Sequence, residues 1–275
     1  MLIPRWKKNA ATVLVAVAAS FPAFAHEFWI AASPFDPAVD APTEVTLNVG
    51  EFFVGDRVGV TTSHAKSVHV LSVGKDQDLL GLVPTGSMLP SLTLSFPAAG
   101  SHVLAYESLP SQIELRADQF HAYLHDEGLD GIIRQREAAG AAAAPGRERF
   151  RRSAKTLLRV GDATDGTSTR SAGLRLEITP TTDPLAAVAG DSLRFVLTFE
   201  GKPRPGVLVR AWHRQGRQTT TIRATTDAQG GFVLALPFPG MWMLNAVHMV
   251  PATDSAEVDW DSFWGSLTFE MARRK

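Results

Sequence analysis

The chain has 275 residues with eight histidines, six tryptophans and no cysteine. Without thiols there is no disulfide, no disulfide-linked partner, no thiolate metal site and no cysteine nucleophile. A metal site must then use imidazole, carboxylate, an amine or water, donors that suit nickel, cobalt, copper or zinc. His26 is the first candidate. It follows Ala23-Phe24-Ala25, which places small residues at the two positions a signal peptidase reads. A cut after Ala25 makes His26 the first residue of the mature chain. Its free amine and its imidazole Nδ1 then chelate one ion together. Their ordinary pKa values, about 8 and about 6.5, let both give up a proton near neutral pH when a metal competes for the lone pair.

His248 is the second candidate. It sits in the apolar stretch Trp242-Met243-Leu244-Asn245-Ala246-Val247-His248-Met249, where an imidazole needs a hydrogen-bond partner or a metal. His121 and His125 stand four apart on an expected helix, beside Asp126 and Glu127. That spacing puts two imidazoles on one face, but no Glu follows His121 to complete an HExxH motif. They lie beside the apolar stripe of Phe120 and Leu124 and read as solvated. His64, His69, His102 and His213 have no matching partners and read as structural or surface residues. Glu107 lies near His102 on the same expected strand. Trp260, Phe263 and Trp264 form an aromatic cluster that packing between modules explains as well as ligand stacking would. No serine-nucleophile motif, glycine-rich phosphate loop or dinucleotide fingerprint is present, which leaves hydrolase, kinase and dehydrogenase readings without support.

The elements that must position these residues begin with an address. Arg5, Lys7 and Lys8 precede the apolar run 10–24, and the cleavage site closes it, the pattern of a secretory leader over residues 1–25. The expected location is periplasmic. The full chain carries 27 basic and 28 acidic residues, too even a balance for a nucleic-acid footprint.

Residues 26–115 read as a first β-domain. Alternating runs occupy 44–49, 67–73, 91–96 and 101–106. Residues 116–172 read as a helical connector. It contains a helix over 116–129 closed by Gly128, an Ala-rich linker over 138–146, and a basic helix over 148–160. Residues 173–275 return to β, with runs at 174–179, 192–199, 207–213, 219–225, 231–236, 241–250 and 266–271. That spacing points to an immunoglobulin-like or transthyretin-like sandwich. Thr226-Asp227-Ala228-Gln229-Gly230 reads as a structural turn, since it lacks the carboxylate density of a calcium loop. The expected fold is mainly β, two β-sandwich modules joined by a helical connector.

In order along the chain, several motifs resemble a known family. They are His26-Glu27-Phe28-Trp29 after Ala25, Phe120-x-x-Tyr-Leu-x-x-Glu-Gly-Leu129, and Leu236-Pro237-Phe238-Pro239-Gly240-Met241-Trp242. Ala246-Val247-His248-Met249 and Trp264-Gly-Ser-Leu-Thr-Phe269 follow. Together they resemble the exported family described as periplasmic components of cobalt/nickel uptake systems, otherwise catalogued as a domain of unknown function. The likeness implies an exported two-module β-protein that handles a divalent transition metal, with a membrane metal transporter as partner. Its pattern supports His26 and His248 and does not support His121 or His125.

The expected site therefore combines the His26 amine and imidazole with His248. Water, a further His, or a carboxylate such as Glu27 or Glu107 completes the shell. The expected function is non-catalytic capture or delivery of nickel or cobalt, with copper or zinc fitting the same donors. A second expectation is a β-sandwich interaction module that binds protein or glycan without metal. A third is a copper-dependent oxidase built on His26 and a second His.

Overall fold

Residues Gly100–Ser108 form a strand buried along its whole length, because layers pack on both of its faces. Val103 points into one apolar core, while Leu104 and Tyr106 point into another. Alternating side chains serve two layers from one strand. The same holds for the middle strands of the central sheet in this computed structural model, which describes residues 26–85 and 91–272. The leader expected at residues 1–25 lies outside the described residues.

In chain order the strands are β1 (Glu27–Ser33), β2 (Thr43–Glu51), β3 (Val54–Val58), β4 (Ala65–Leu71), β5 (Gln77–Asp78), β6 (Leu92–Leu94), β7 (Gly100–Ser108) and β8 (Ser111–Leu115). Helices α1 (Ala117–Asp126) and α2 (Asp130–Ala138) follow. Next come β9 (Gly146–Val160), β10 (Leu176–Pro180), β11 (Ser192–Phe199), β12 (Lys202–Pro203) and β13 (Leu208–Gln215). The last are β14 (Gln218–Thr225), β15 (Gly231–Ala235), β16 (Gly240–Pro251) and β17 (Trp260–Met271).

The central sheet runs β14-β13-β16-β17-β9-β7-β4-β5, with β8 paired to β9. A smaller sheet, β1-β2-β3 with β6, covers one part of it and closes the first core around Phe28, Ile30, Leu104 and Leu158. A second small sheet, β10-β11-β12 with β15, closes another core around Phe195, Leu197, Leu244 and Phe269. Phe120, Tyr123 and Leu124 of α1 and Ile132 of α2 pack with Trp260 and Trp264 of β17 in a third cluster. The protein is thus mainly β, with two sandwiches that share one sheet.

The basic helix expected over 148–160 is instead strand β9, paired with β7 on one side and parallel to β17 on the other. The run of cations reads as a solvated face only while its partners are out of sight. In the fold, Arg147 pairs with Asp259, and both Arg149 and Arg151 pair with Asp261. Neutralised in this way, the strand can occupy a buried position. The connector is helical only as far as Ala138, and α2 was not anticipated. Helix α1 ends as expected. Gly128 has φ +70°, and the Leu129 N–H returns to the Leu124 carbonyl at 2.7 Å, the hydrogen bond of a left-handed helix stop.

Candidate functional site

Strand β1 begins at Glu27, which pairs in register with Gly50 of β2. β2 and β3 are joined by Phe52 and Phe53, with φ of 56° and 60°. A left-handed backbone at a non-glycine residue costs roughly 1–2 kcal/mol, so the turn needs support. Phe53 provides it: the ring is buried and meets Trp29 edge-on at 5.3 Å between centroids. Phe52 stays exposed and stands edge-on to Trp212 at 5.5 Å. The preceding residue, Glu51, holds a carboxylate oxygen 3.2 Å from His26 Nδ1.

A pocket of about 560 Å³ opens between this turn, α1 and β13. Glu27, Glu51, Glu127, Arg210 and Trp212 are among the residues that line it. His26 touches its wall through Glu51 and precedes Glu27 in the chain. Glu127, at the end of α1, is ion-paired with Arg210 of β13, and both are buried. Burial raises the Glu127 carboxyl above its ordinary range, while Arg210 pulls the other way. Glu27 has no such direct partner. Burial, reinforced by the charge of Glu127, pushes it up to about 7, because an ionised carboxylate is poorly solvated there.

Behind the pocket lies a second buried carboxyl, Glu148 of β9. It accepts hydrogen bonds from Tyr123 Oη at 3.2 Å and from Ser262 Oγ, and Trp264 Nε1 donates to Ser262 Oγ at 3.2 Å. Burial pushes Glu148 up to about 7 as well. Trp264 stacks on Tyr123 at 5.8 Å. Trp264 and Trp260 belong to the core beneath α1, while Phe263 faces the other way, so the aromatic cluster is packing.

The structure puts Glu27 in the pocket wall, with His26 beside it against Glu51, and places the other two expected ligands elsewhere. His248 is buried on β16, edge-on to Phe199 at 4.7 Å and near Phe263. These rings belong to the core between the central sheet and β10-β11-β12, whereas Val247 and Met249 point to the helices. Arg210 and Trp212 stand on the helix-facing side, since their neighbours Val209 and Ala211 occupy the opposite core. The central sheet therefore lies between His248 and the pocket wall. Glu107 accepts from Lys66 Nζ at 2.7 Å and from the Arg175 N–H at 3.3 Å. Its charge is already matched there.

Among the described residues, no three His, Asp or Glu side chains gather closely enough to hold a metal ion. His125 is exposed and bound to Asp130 at 3.2 Å, and His121 is exposed. The turn around Asp227 is held by its own carboxylate, which accepts from the Gln229 and Gly231 N–H groups at 2.9 and 2.8 Å.

Sequence reasoning missed Glu51 and Arg210 and passed over Glu127. One signal was present: Arg210 is the charge within the otherwise apolar Val207–Trp212 run. Nothing local marks Glu51, whose role depends on the turn that returns it to His26.

No curated protein matches the chain. Solved structures similar to it include a tetra-tandem repeat from the extending region of a large adhesion protein, at 12% identity and TM-score 0.22. The match covers 90% of this chain and 49% of that one, so the chain spans about half its length. A Salmonella alpha-2-macroglobulin variant matches at 11% identity and TM-score 0.23, over 92% of this chain and 16% of that one. A DUF3823 family protein from Bacteroides uniformis matches at 10% identity and TM-score 0.22, over 90% of this chain and all of that one. Scores this low carry no argument about function. The family match is of another kind, since it runs from residue 23 to residue 250, through the pocket, both helices and His248. The chain belongs to the family described as a domain of unknown function, DUF4198.

Proposed function

We propose that the mature, exported chain captures a divalent transition-metal ion at a new N-terminus formed by His26. Nickel or cobalt is the cargo, and a membrane uptake system in the periplasmic setting is the recipient. The role is carriage without catalysis. One observation carries this reading: His26 Nδ1 and a Glu51 carboxylate oxygen stand 3.2 Å apart at the side of an acid-lined pocket. Two donors about 2.0–2.2 Å from one ion, at tetrahedral to octahedral angles, are themselves about 2.8–3.6 Å apart. The pair is already spaced to share an ion.

Each residue then has a task. The His26 amine and imidazole chelate, Glu51 adds charge, and Glu27 waits one residue further in as an uncommitted carboxyl. Arg210 is occupied by Glu127, which limits its repulsion of a cation. His248 and Glu107 are left out of the shell because of the surroundings described above. The half-open setting of His26, with 26% of its side chain exposed, suits a cargo that must leave again.

The test is N-terminal sequencing of the exported protein followed by calorimetric titration with nickel and cobalt. A chain beginning at His26 should bind, and a variant with one Ala ahead of His26 should lose the chelate. Unchanged affinity in that variant would remove the terminal chelate from the proposal.

A second reading, a module that binds protein or glycan without metal, draws on one feature. Phe52 is 58% exposed on its left-handed turn beside Trp212, and an exposed aromatic on a rigid turn is a common anchor. Loss of partner or glycan binding on Phe52→Ala, with no metal binding in the parent chain, would favour it.

A further inference from the structure

A second groove of about 420 Å³ lies where α2 meets the segment between β12 and β13. His248 lines it from beneath. The ring is only 4% exposed, and its recorded neighbours are the apolar rings Phe199 and Phe263. It has no hydrogen-bond partner among the described residues. Burial, and after it the charge of Arg204, push the imidazole down to about 4. At neutral pH it is therefore uncharged and keeps one N–H to donate. The ring lines the groove, so that N–H is open to a molecule bound there.

The charges around the groove say what kind of molecule would suit it. Two acids line it, and both are already engaged: Glu127 pairs with Arg210, and Asp130 pairs with His125. Two guanidinium groups also line it, Arg134 and Arg204, and neither forms an ion pair among the described residues. Arg204 is half-buried, and its Nε is closed off without a hydrogen-bond partner. Arg134 folds back over the first turn of α2, with Nη2 3.9 Å from the place a Gly131 Cβ would occupy. No side chain caps that turn, so its N–H groups add partial positive charge. A metal ion at His248 would meet these cations, whereas an anion would be welcomed by them. The walls are otherwise apolar, with Leu129, Ile132, Val207, Leu208, Val247 and Met249. Such walls favour an acid with a hydrocarbon body over a fully hydrated inorganic ion.

We propose that this groove binds a small organic carboxylate, its head held by Arg204 and the His248 N–H, with Arg134 adding positive charge from α2, and its body against the apolar walls. The groove shares only Glu127, already paired with Arg210, with the pocket beside His26, so the proposal stands whether or not that pocket holds a metal.

The experiment is an NMR titration of the full folded chain, labelled at histidine and glycine, with benzoate, hexanoate and inorganic phosphate as probes. Benzoate or hexanoate should shift the His248 ring nitrogens and the Gly131 amide saturably, and phosphate should not. Arg204→Gln should weaken that binding by about tenfold, the loss expected for one charge-assisted hydrogen bond. If Arg204→Gln fails to fold, Arg134→Gln at its exposed position should give a loss in the same direction. The proposal is overturned by any of three results. These are no saturable shift with either carboxylate, phosphate binding as tightly as the carboxylates, or unchanged carboxylate affinity in the folded arginine variant.

Discussion

Lys155 Nζ donates to Glu177 Oε1 at 2.6 Å, with both side chains closed to solvent. The bond ties β9, at the middle of the shared sheet, to β10 of the layer above it. Burial raises the Glu177 carboxyl, but Lys155 and the N–H of Ala172 outweigh it and bring the carboxyl below its ordinary range. Burial lowers Lys155, and Glu177 opposes that fall. Removing one partner strands the other charge. We expect Lys155→Met to destabilise the fold by about 3–5 kcal/mol in urea unfolding, with Lys155→Met/Glu177→Gln recovering part of the loss. A single variant as stable as the parent would show that Ser171 and the backbone N–H groups suffice to hold Glu177 ionised.

Glu148 makes stability depend on pH. Its folded carboxyl holds a proton up to about pH 7, whereas the unfolded chain releases it near 4.5. Between those values the folded state binds more protons, so this group's contribution falls as pH rises and levels off above pH 7. Paired aspartates such as Asp261 act in the opposite sense, so the measurable quantity is a difference between proteins. Glu148→Gln should gain on the parent from pH 5 to pH 8 by up to about 3 kcal/mol, an upper bound for a shift of this size. Parallel stability–pH curves for the two proteins would refute it.

Gly146 opens β9 directly under α1. A Cβ there would stand 2.2 Å from Phe120 Cγ, and Phe120 is fully buried. Neither the strand nor the ring has room to yield. Gly146→Ala should cost about 1–3 kcal/mol or more by overpacking, read as a lower Tm. Phe120→Leu in the same background should recover part of it by making space.

The terminal site should respond to pH and to Glu51. The terminal amine must be unprotonated to bind, so nickel affinity should rise between pH 6 and pH 8. Glu51→Ala should weaken binding by about tenfold, the lower end for loss of a group supporting a metal ligand. An added Ala ahead of His26 should weaken it far more. Calorimetry on the three proteins checks this, and equal affinities would count against a site at His26.

Much of the architecture was legible because strand alternation is a local property. The seven runs between 174 and 271 all appear as strands, the last extended back to Trp260. The end of α1 was marked by Gly128, since few other residues adopt its backbone. The 148–160 segment misled because Arg149 and Arg151 meet an acid more than 100 residues away, Asp261. No local pattern contains that pairing.

For the proposed site, residue type alone pointed to His26, through the bond after Ala25 and the donors its cleavage would release, and to His248, with Glu27 or Glu107 to complete the shell. Only the tertiary structure decided their company. A two-phenylalanine turn returns Glu51 to His26, and the end of α1 brings Glu127 to Arg210. The central sheet keeps His248 on its other face, beside Arg204. Strand alternation dictates which residues share a face, but the layer that covers each face comes from distant parts of the chain.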